Sequence, residues 1–305
     1  MSSDHARWVD AFLDHLLVQK NYSHFTVQAY ATDLRQLMDY LEADVPTFSS
    51  QGWQGVTFKD LLGFQEYLIA TGYADASVSR KLASVRTFFQ YLVMEGVLSS
   101  DPSQGLEGPK VKRPLPRAIS QEDIERLLDA PAQVEGPTGL RDQAILELLY
   151  ATGMRVGELA ALRVEDVDLE RNVVRCRGKG NKEREIPIHE VAAQKLLTYL
   201  EHGRPKLADG KKPSPALFLN YRGHPLSRQG IWLIIKKYAK MAGIQAKVTP
   251  HVLRHSVATH LLRQGANLRE VQELLGHSNL TTTQRYTRVV NEHLREVYDQ
   301  THPRA

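Results

Sequence analysis

Apolar residues recur at helical spacing through the first hundred positions of the chain. Trp8, Phe12, Leu13, Leu16 and Leu17 form one stripe, and Val27, Tyr30, Leu34, Leu37, Met38 and Leu41 form a second behind Ser23. The pattern breaks at Pro46 and the segment from Phe48 to Gly52. A third helix is predicted from Thr57, whose hydroxyl can cap it while Asp60 returns the contact as a capping box; it ends near Gly72. A fourth runs from about Ala76 to Glu95, with Val78, Leu82, Val85, Phe88, Phe89 and Leu92 inward. It leaves Arg80, Lys81, Ser84 and Arg86 to solvent or phosphate.

Between Asp101 and Ser120 the pattern stops. This stretch holds four prolines together with Lys110, Lys112, Arg113 and Arg117. Proline keeps such a segment extended, so the chain divides into a helical domain (1–108), a basic linker (109–119) and a second domain (120–305). In the second domain Ser120 caps a helix through Ile124, Leu127 and Leu128. Another helix begins at Gly139 or Leu140 and ends at Thr152 and Gly153, after which Arg155 opens a further turn. Positions 172–177 and 183–188 then alternate apolar with polar around the turn Gly178-Lys179-Gly180-Asn181-Lys182, which predicts a hairpin that the Val167 segment extends to three strands. Helices return at Val191 to His202, at Ser227 to Ala242, and as two or three short ones through 249–290. The fold class is mainly α with a small antiparallel β-sheet.

Composition narrows the setting. A content of 42% hydrophobic and 24% charged residues belongs to a soluble globular protein. No apolar run reaches membrane-spanning length and no signal segment opens the chain, so a cytoplasmic protein with no membrane partner is expected. One cysteine, Cys176, excludes an intrachain disulfide and a cysteine-rich zinc site. Charge is unevenly spread: residues 1–110 hold 8 Lys and Arg against 13 Asp and Glu, the remainder 31 against 22. The second domain is therefore the part that draws an anionic partner, with nucleic acid the foremost candidate.

The richest chemistry lies between Thr249 and Val290, where His251, Arg254, His277 and Tyr286 fall on short amphipathic helices. Taken singly, each is an ordinary surface or packing residue, and Lys179 is an ordinary hairpin-turn lysine. Zinc is a rival, since His251 and His255 stand at i and i+4 with His260 and His277 beyond; but the H-E-x-x-H pattern is missing and Arg254 would set a cation beside the ion. A G-x-S-x-G elbow is also absent, and the Lys179 turn lacks P-loop spacing. Metal-free phosphoryl transfer suits the set better. Arg155 and Arg254 can clamp the non-bridging oxygens, histidine and lysine can move protons, and Tyr286 can attack.

Taken together, ATGMRVGEL around Arg155, GKGNKER around Lys179, HVLRH from His251, LLGHSNLTTTQRYT from His277 to Tyr286 and the closing HPRA resemble the tyrosine recombinases of the Xer group. The likeness runs over the whole chain, with 24 positions from Arg155 to Lys179, three from His251 to Arg254 and nine from His277 to Tyr286. The resemblance implies a DNA-breaking-rejoining fold: a helical core-binding domain that clamps duplex DNA and a mixed α/β catalytic domain with a C-terminal tail helix. It implies Tyr286 as nucleophile, Arg155, Arg254 and His277 on the phosphate oxygens, His251 assisting the phenol and Lys179 protonating the leaving 5′-oxygen, with no metal or cofactor. It further implies a 3′-phosphotyrosyl intermediate and a Holliday junction made by a homo- or hetero-tetramer. A dif-like site, chromosome dimer resolution, a XerC-like partner recombinase and an FtsK-like translocase follow from the same likeness. Helix position suggests Thr26, Gln28, Arg80, Lys81, Arg86, Lys112, Arg113 and Arg228 as DNA contacts. Other readings are a phage or mobile-element integrase, a type IB topoisomerase-like relaxing enzyme, and an inert DNA-binding regulator.

Overall fold

The computed structural model describes residues 2–20, 22–110, 118–177, 183–208, 210, 212–276 and 287–305, with side chains from His5 onward and, in the last segment, from Leu294 onward. The chain forms two compact units, Met1–Pro114 and Leu115–Ala305.

Among its described residues the first unit holds helices joined by turns, and no strand. Helix α1 spans Ser2–Asp14 and runs into a π turn, His15–Gln19. Helix α2, His24–Asp44, starts where Ser23 accepts the Thr26 amide hydrogen. A short helix α3, Pro46–Gln51, occupies the segment where the apolar pattern predicted only a break. Proline opens it rather than ends it, because its fixed φ and missing N–H suit a first helical position. The Thr57 capping box forms as predicted, with the Thr57 amide donating to Asp60 at 2.8 Å, and starts α4, Phe58–Ala70. Helix α5 covers Asp75–Met94. The core gathers aromatic rings from several of these helices: Trp53 meets Phe88 at 4.7 Å and Phe48 at 5.1 Å between ring centroids, and Phe12 meets Phe88 at 5.3 Å.

One expectation for α5 is corrected. Lys81 and Ser84 do not face solvent; both are buried, at 5% and 1% exposure. They turn inward because Asp33 on α2, itself 1% exposed, needs them. The Lys81 amine donates to Asp33 at 3.1 Å and to Gln36 at 2.8 Å, Ser84 donates to Asp33 at 2.8 Å, and Arg80 grips both Asp33 oxygens from the surface. Burial pushes the Asp33 carboxyl up, but the hydrogen bonds from Arg80, Ser84 and Lys81 outweigh it and hold the group below its ordinary value. Asp33→Ala strands the buried Lys81 charge, so urea unfolding followed by Trp53 fluorescence should show the first unit destabilised by about 3–5 kcal/mol.

In the second unit Ser120 caps α6, Gln121–Asp129. Helix α7 spans Pro137–Thr152 and begins two residues before the predicted start, again with proline in its first turn. It is buried along most of its length, Arg141, Asp142 and Glu147 included, and packs among α9, Glu190–Thr198, and α12, Pro250–Arg263. Between them lie α8, Val156–Ala161, and a three-stranded antiparallel sheet of β1, Val167–Asp168, β2, Val173–Arg177, and β3, Glu183–Pro187, in the order β1-β2-β3. The register pairs Val174 with Ile186 and Cys176 with Arg184. Cys176 is fully buried and its thiol is pushed up to about 12 by desolvation, so it stays protonated and inert. The helical path from α9 continues past the predicted end at His202, through a π turn, Tyr199–Gly203, into α10, Arg204–Ala208. Helix α11, Arg228–Met241, and α13, Leu268–Leu275, precede α14, Thr287–Thr301. The fold is thus mainly α with a small antiparallel sheet, and among the described residues no helix is long and apolar enough to cross a membrane.

Helix α14 packs on its own unit, against β3 and α13, with Leu294, Val297 and Tyr298 buried. The closing His302-Pro303-Arg304-Ala305 finishes the attachment. Arg304 Nη2 donates to Glu147 on α7 at 3.3 Å, and its Nε lies 2.9 Å from the other carboxylate oxygen. The His302 ring stacks on Tyr298, donates from Nε2 to the Tyr150 carbonyl and accepts the Arg304 amide hydrogen at Nδ1. Those contacts fit only the neutral ring. Burial lowers His302 to about 4 and the adjacent His189 to about 3. Unfolded histidine titrates near 6.5, so the unfolded state takes up these protons first. Stability should fall by about 1.4 kcal/mol per histidine per pH unit below about 6.5 until the folded values are reached. Burial raises Glu147, which acts oppositely and loses its share as pH rises through its raised value. Thermal unfolding from pH 7 to pH 5 should show the midpoint dropping, and His302→Gln should flatten that slope.

Candidate active site

Two helix ends and two arginines build the described part of the site. Helix α7 ends at Gly153, which adopts a left-handed conformation with φ 54°. Helix α13 ends the same way at Gly276, φ 68°. Each ending leaves unpaired carbonyls carrying the negative pole of its helix. Arg254, on the first turns of α12, joins the two: Nη1 donates to the Gly153 carbonyl and Nη2 to the Leu275 carbonyl, both at 2.7 Å. Burial, reinforced by the nearby charges of Arg155 and Arg184 and opposed by Glu158, lowers Arg254 to about 10, so it remains a cation at neutral pH.

Arg155 stands at the N-cap of α8, immediately beyond the α7 end, with 47% of its side chain exposed. Its amide donates to Glu158 Oε2 at 2.8 Å, its Nη1 to Glu158 Oε1 at 3.2 Å, and its Nη2 reaches the Gly276 carbonyl at 3.4 Å. Both arginines that the sequence singled out therefore converge on the same pair of residues, Leu275 and Gly276, directly before His277. His251 lies one helical turn before Arg254 on α12, exposed and on the same side of the helix. Lys179, His277 and Tyr286 lie outside the described residues, as do Lys112 and Arg113.

The remaining candidate DNA contacts are spread over both units. Gln28, Arg80 and Arg86 are exposed and Thr26 half-buried beside Ser23, whereas Lys81 is buried as described above. Arg228, at the start of α11, lies against Gly157 of α8. The zinc alternative loses a ligand: His260 is buried, with its ring nitrogens 3.0 Å from the Tyr150 hydroxyl and 2.9 Å from the Ile119 carbonyl. Among the described residues no group of three His, Cys, Asp or Glu could hold a metal.

Two members of the site escaped sequence reasoning. Glu158, 9% exposed, is gripped by Arg184 of β3 through two 3.0 Å contacts, Nη1 to Oε1 and Nη2 to Oε2. Burial alone would raise the Glu158 carboxyl, but hydrogen bonds from Arg184 and from the Arg155 amide bring it below its ordinary value. A signal for each was present. Glu158 falls three residues after Arg155, the place from which a carboxylate returns to a helix N-cap. Arg184 shares a strand face with Ile186, and a charge on a buried face requires a counter-charge.

The phage integrase family matches residues 117–293, and the N-terminal SAM-like domain of phage integrases matches residues 9–96. A tyrosine recombinase XerC of Roseiflexus sp. (strain RS-1) is 46% identical over 282 residues, covering 92% of this chain and 88% of its own. A tyrosine recombinase XerD of Listeria innocua serovar 6a is 44% identical over 297 residues, covering 97% and 99%. Among solved structures, a lambda integrase tetramer bound to a Holliday junction superposes with a TM-score of 0.68 at 18% identity, covering 94% of this chain and 82% of that one. A XerH recombinase on its palindromic difH substrate gives 0.68 at 22%, covering 91% and 80%; these two likenesses speak for the fold. The chain belongs to the phage integrase family, whose tyrosine recombinases cleave and rejoin DNA. Within it this is a Xer-type site-specific recombinase, close to XerD and with XerC relatives at similar identity.

Proposed function

We propose that this chain cuts and rejoins duplex DNA at a dif-like site to resolve chromosome dimers, passing through a 3′-phosphotyrosyl intermediate and a Holliday junction. Residues 1–108 act as the DNA-clamping domain, 109–119 as a basic linker and 120–305 as the catalytic domain. The Tyr286 hydroxyl attacks the scissile phosphorus and loses its proton toward His251. The bond from phosphorus to the 5′-oxygen breaks, and Lys179 supplies the proton that this oxygen takes up. Arg155, Arg254 and His277 hold the non-bridging oxygens, where charge rises as the fifth oxygen arrives. Tyrosine, with a pKa near 10, leaves more easily than a sugar alcohol, so a 5′-hydroxyl of a second duplex reverses the step without ATP.

The observation that carries this reading is the convergence of Arg155 and Arg254 on the end of α13: two guanidinium groups fixed by backbone carbonyls, one of them half-exposed. Four protomers acting on two duplexes, with a XerC-like recombinase as partner and an FtsK-like translocase as activator in the cytoplasm, complete the proposal. The XerC and XerD relatives support the partner recombinase.

The test is incubation with a nicked dif-like duplex, which traps cleavage. Denaturing electrophoresis should reveal a covalent protein–DNA adduct, and mass spectrometry should place the nucleotide on Tyr286. Absence of an adduct on every such site, even with a partner recombinase present, would overturn the proposal. Relaxation of supercoils without exchange between two sites would instead mark a topoisomerase.

A further inference from the structure

We infer that Arg184 is a positioning residue of the cleavage site, whose task is to take up the charge of Glu158 so that Arg155 keeps its own for the phosphate. The inference rests on the recombinase reading. Glu158 is needed for structure, since it accepts the Arg155 amide hydrogen at the start of α8 at 2.8 Å. A carboxylate in that place is also a hazard, because it lies 3.2 Å from the Arg155 guanidinium and competes with any phosphate for it. Arg184 removes the hazard. It meets Glu158 with both Nη groups at 3.0 Å, the paired geometry that carboxylates favour, whereas Arg155 touches a single oxygen at the longer distance. Arg184 is mostly buried and Arg155 half-exposed, at 20% and 47% of their side chains. The buried arginine therefore holds the carboxylate and the open one faces outward.

The charge count leads to the same assignment. Arg155, Arg184 and Arg254 with Glu158 sum to +2, matched to a phosphodiester that moves from −1 toward −2 as the attacking oxygen bonds. Without Arg184 the sum falls to +1 and the carboxylate has only Arg155 to pair with. Arg184 also underlies the α13 end that Arg155 and Arg254 hold. A Cβ added at Gly276 would meet the Arg184 guanidinium at 2.8 Å, so the three arginines and the α13 end form one packed unit.

The test compares full-length wild type, R184M, R184K and R184M/E158Q. Glutamine keeps the acceptor for the Arg155 amide while removing the charge, so the double variant no longer needs Arg184. Single-turnover adduct formation on the nicked duplex should fall at least tenfold in R184M with DNA binding retained, recover to within threefold of wild type in R184M/E158Q, and lie between in R184K. Inorganic phosphate binding by calorimetry should follow the same order. R184M cleaving and binding phosphate like wild type would overturn the inference, and so would a folded R184M/E158Q no better than R184M, since Arg184 would then act otherwise than through Glu158. Failure of wild type to form any adduct would count against the recombinase reading alone, and the phosphate series would still decide the role of Arg184.

Discussion

Arg254→Ala is expected to slow strand cleavage by about 10²–10³-fold, the usual consequence of removing one preorganised donor from a site of developing charge. Two effects combine. The phosphate loses a cation whose position is set by two 2.7 Å backbone contacts rather than by a mobile side-chain partner. The same substitution strips the Gly153 and Leu275 carbonyls of their donor, and an orphaned buried acceptor costs about 1–3 kcal/mol, so the second unit should also unfold at lower denaturant. Arg254→Lys should rescue little, because one ammonium cannot span two carbonyls and a phosphate as a planar guanidinium does. Single-turnover adduct formation separates the effects from affinity: gel-shift binding should stay near wild type while the rate collapses. A variant that lost binding and cleavage in equal proportion would contradict the assigned role.

Tyr286→Phe should abolish the covalent adduct altogether while leaving DNA binding and folding intact. Phenylalanine keeps the ring and loses only the oxygen that would bond to phosphorus, and neither Arg155 nor Arg254 can act as substitute nucleophile because a guanidinium group offers donors and no acceptor lone pair. Labelled nicked duplex incubated with the variant should therefore yield no protein-linked band at any exposure. Persistence of an adduct would identify a different nucleophile and dismantle the proposed mechanism. Buried Cys176, held as a thiol, offers no such replacement.

What the sequence made legible is what depends on neighbours along the chain. The Thr57–Asp60 box, the β2–β3 hairpin and the Gly153 ending each involve partners within a few residues, and each forms as read. Arg155, His251 and Arg254 were singled out for another reason, the spacing of motifs that resemble those of the Xer group, and the fold brings Arg155 and Arg254 to one helix end. Lys81 was misread because its fate is decided by Asp33, 48 residues earlier; a helical wheel of α5 cannot reveal a carboxylate buried on α2. Arg184 and Glu158 lie 26 residues apart and on different kinds of element, so their pairing became visible only once β3 had been laid beside α8. The tail belongs with them. A helix at the C-terminus was readable, whereas its fastening through Arg304 to Glu147, 157 residues away, was not.

The double grip of Arg254 has a mechanical consequence. Because one guanidinium bridges the ends of both α7 and α13, the charge proposed to hold the phosphate and the spacing of those helices are coupled. Any force that draws the α13 end away from Gly153 must break a 2.7 Å contact and swing the cation at the same moment. Such a joint ties the orientation of the Arg254 guanidinium to the closure of the two helix ends.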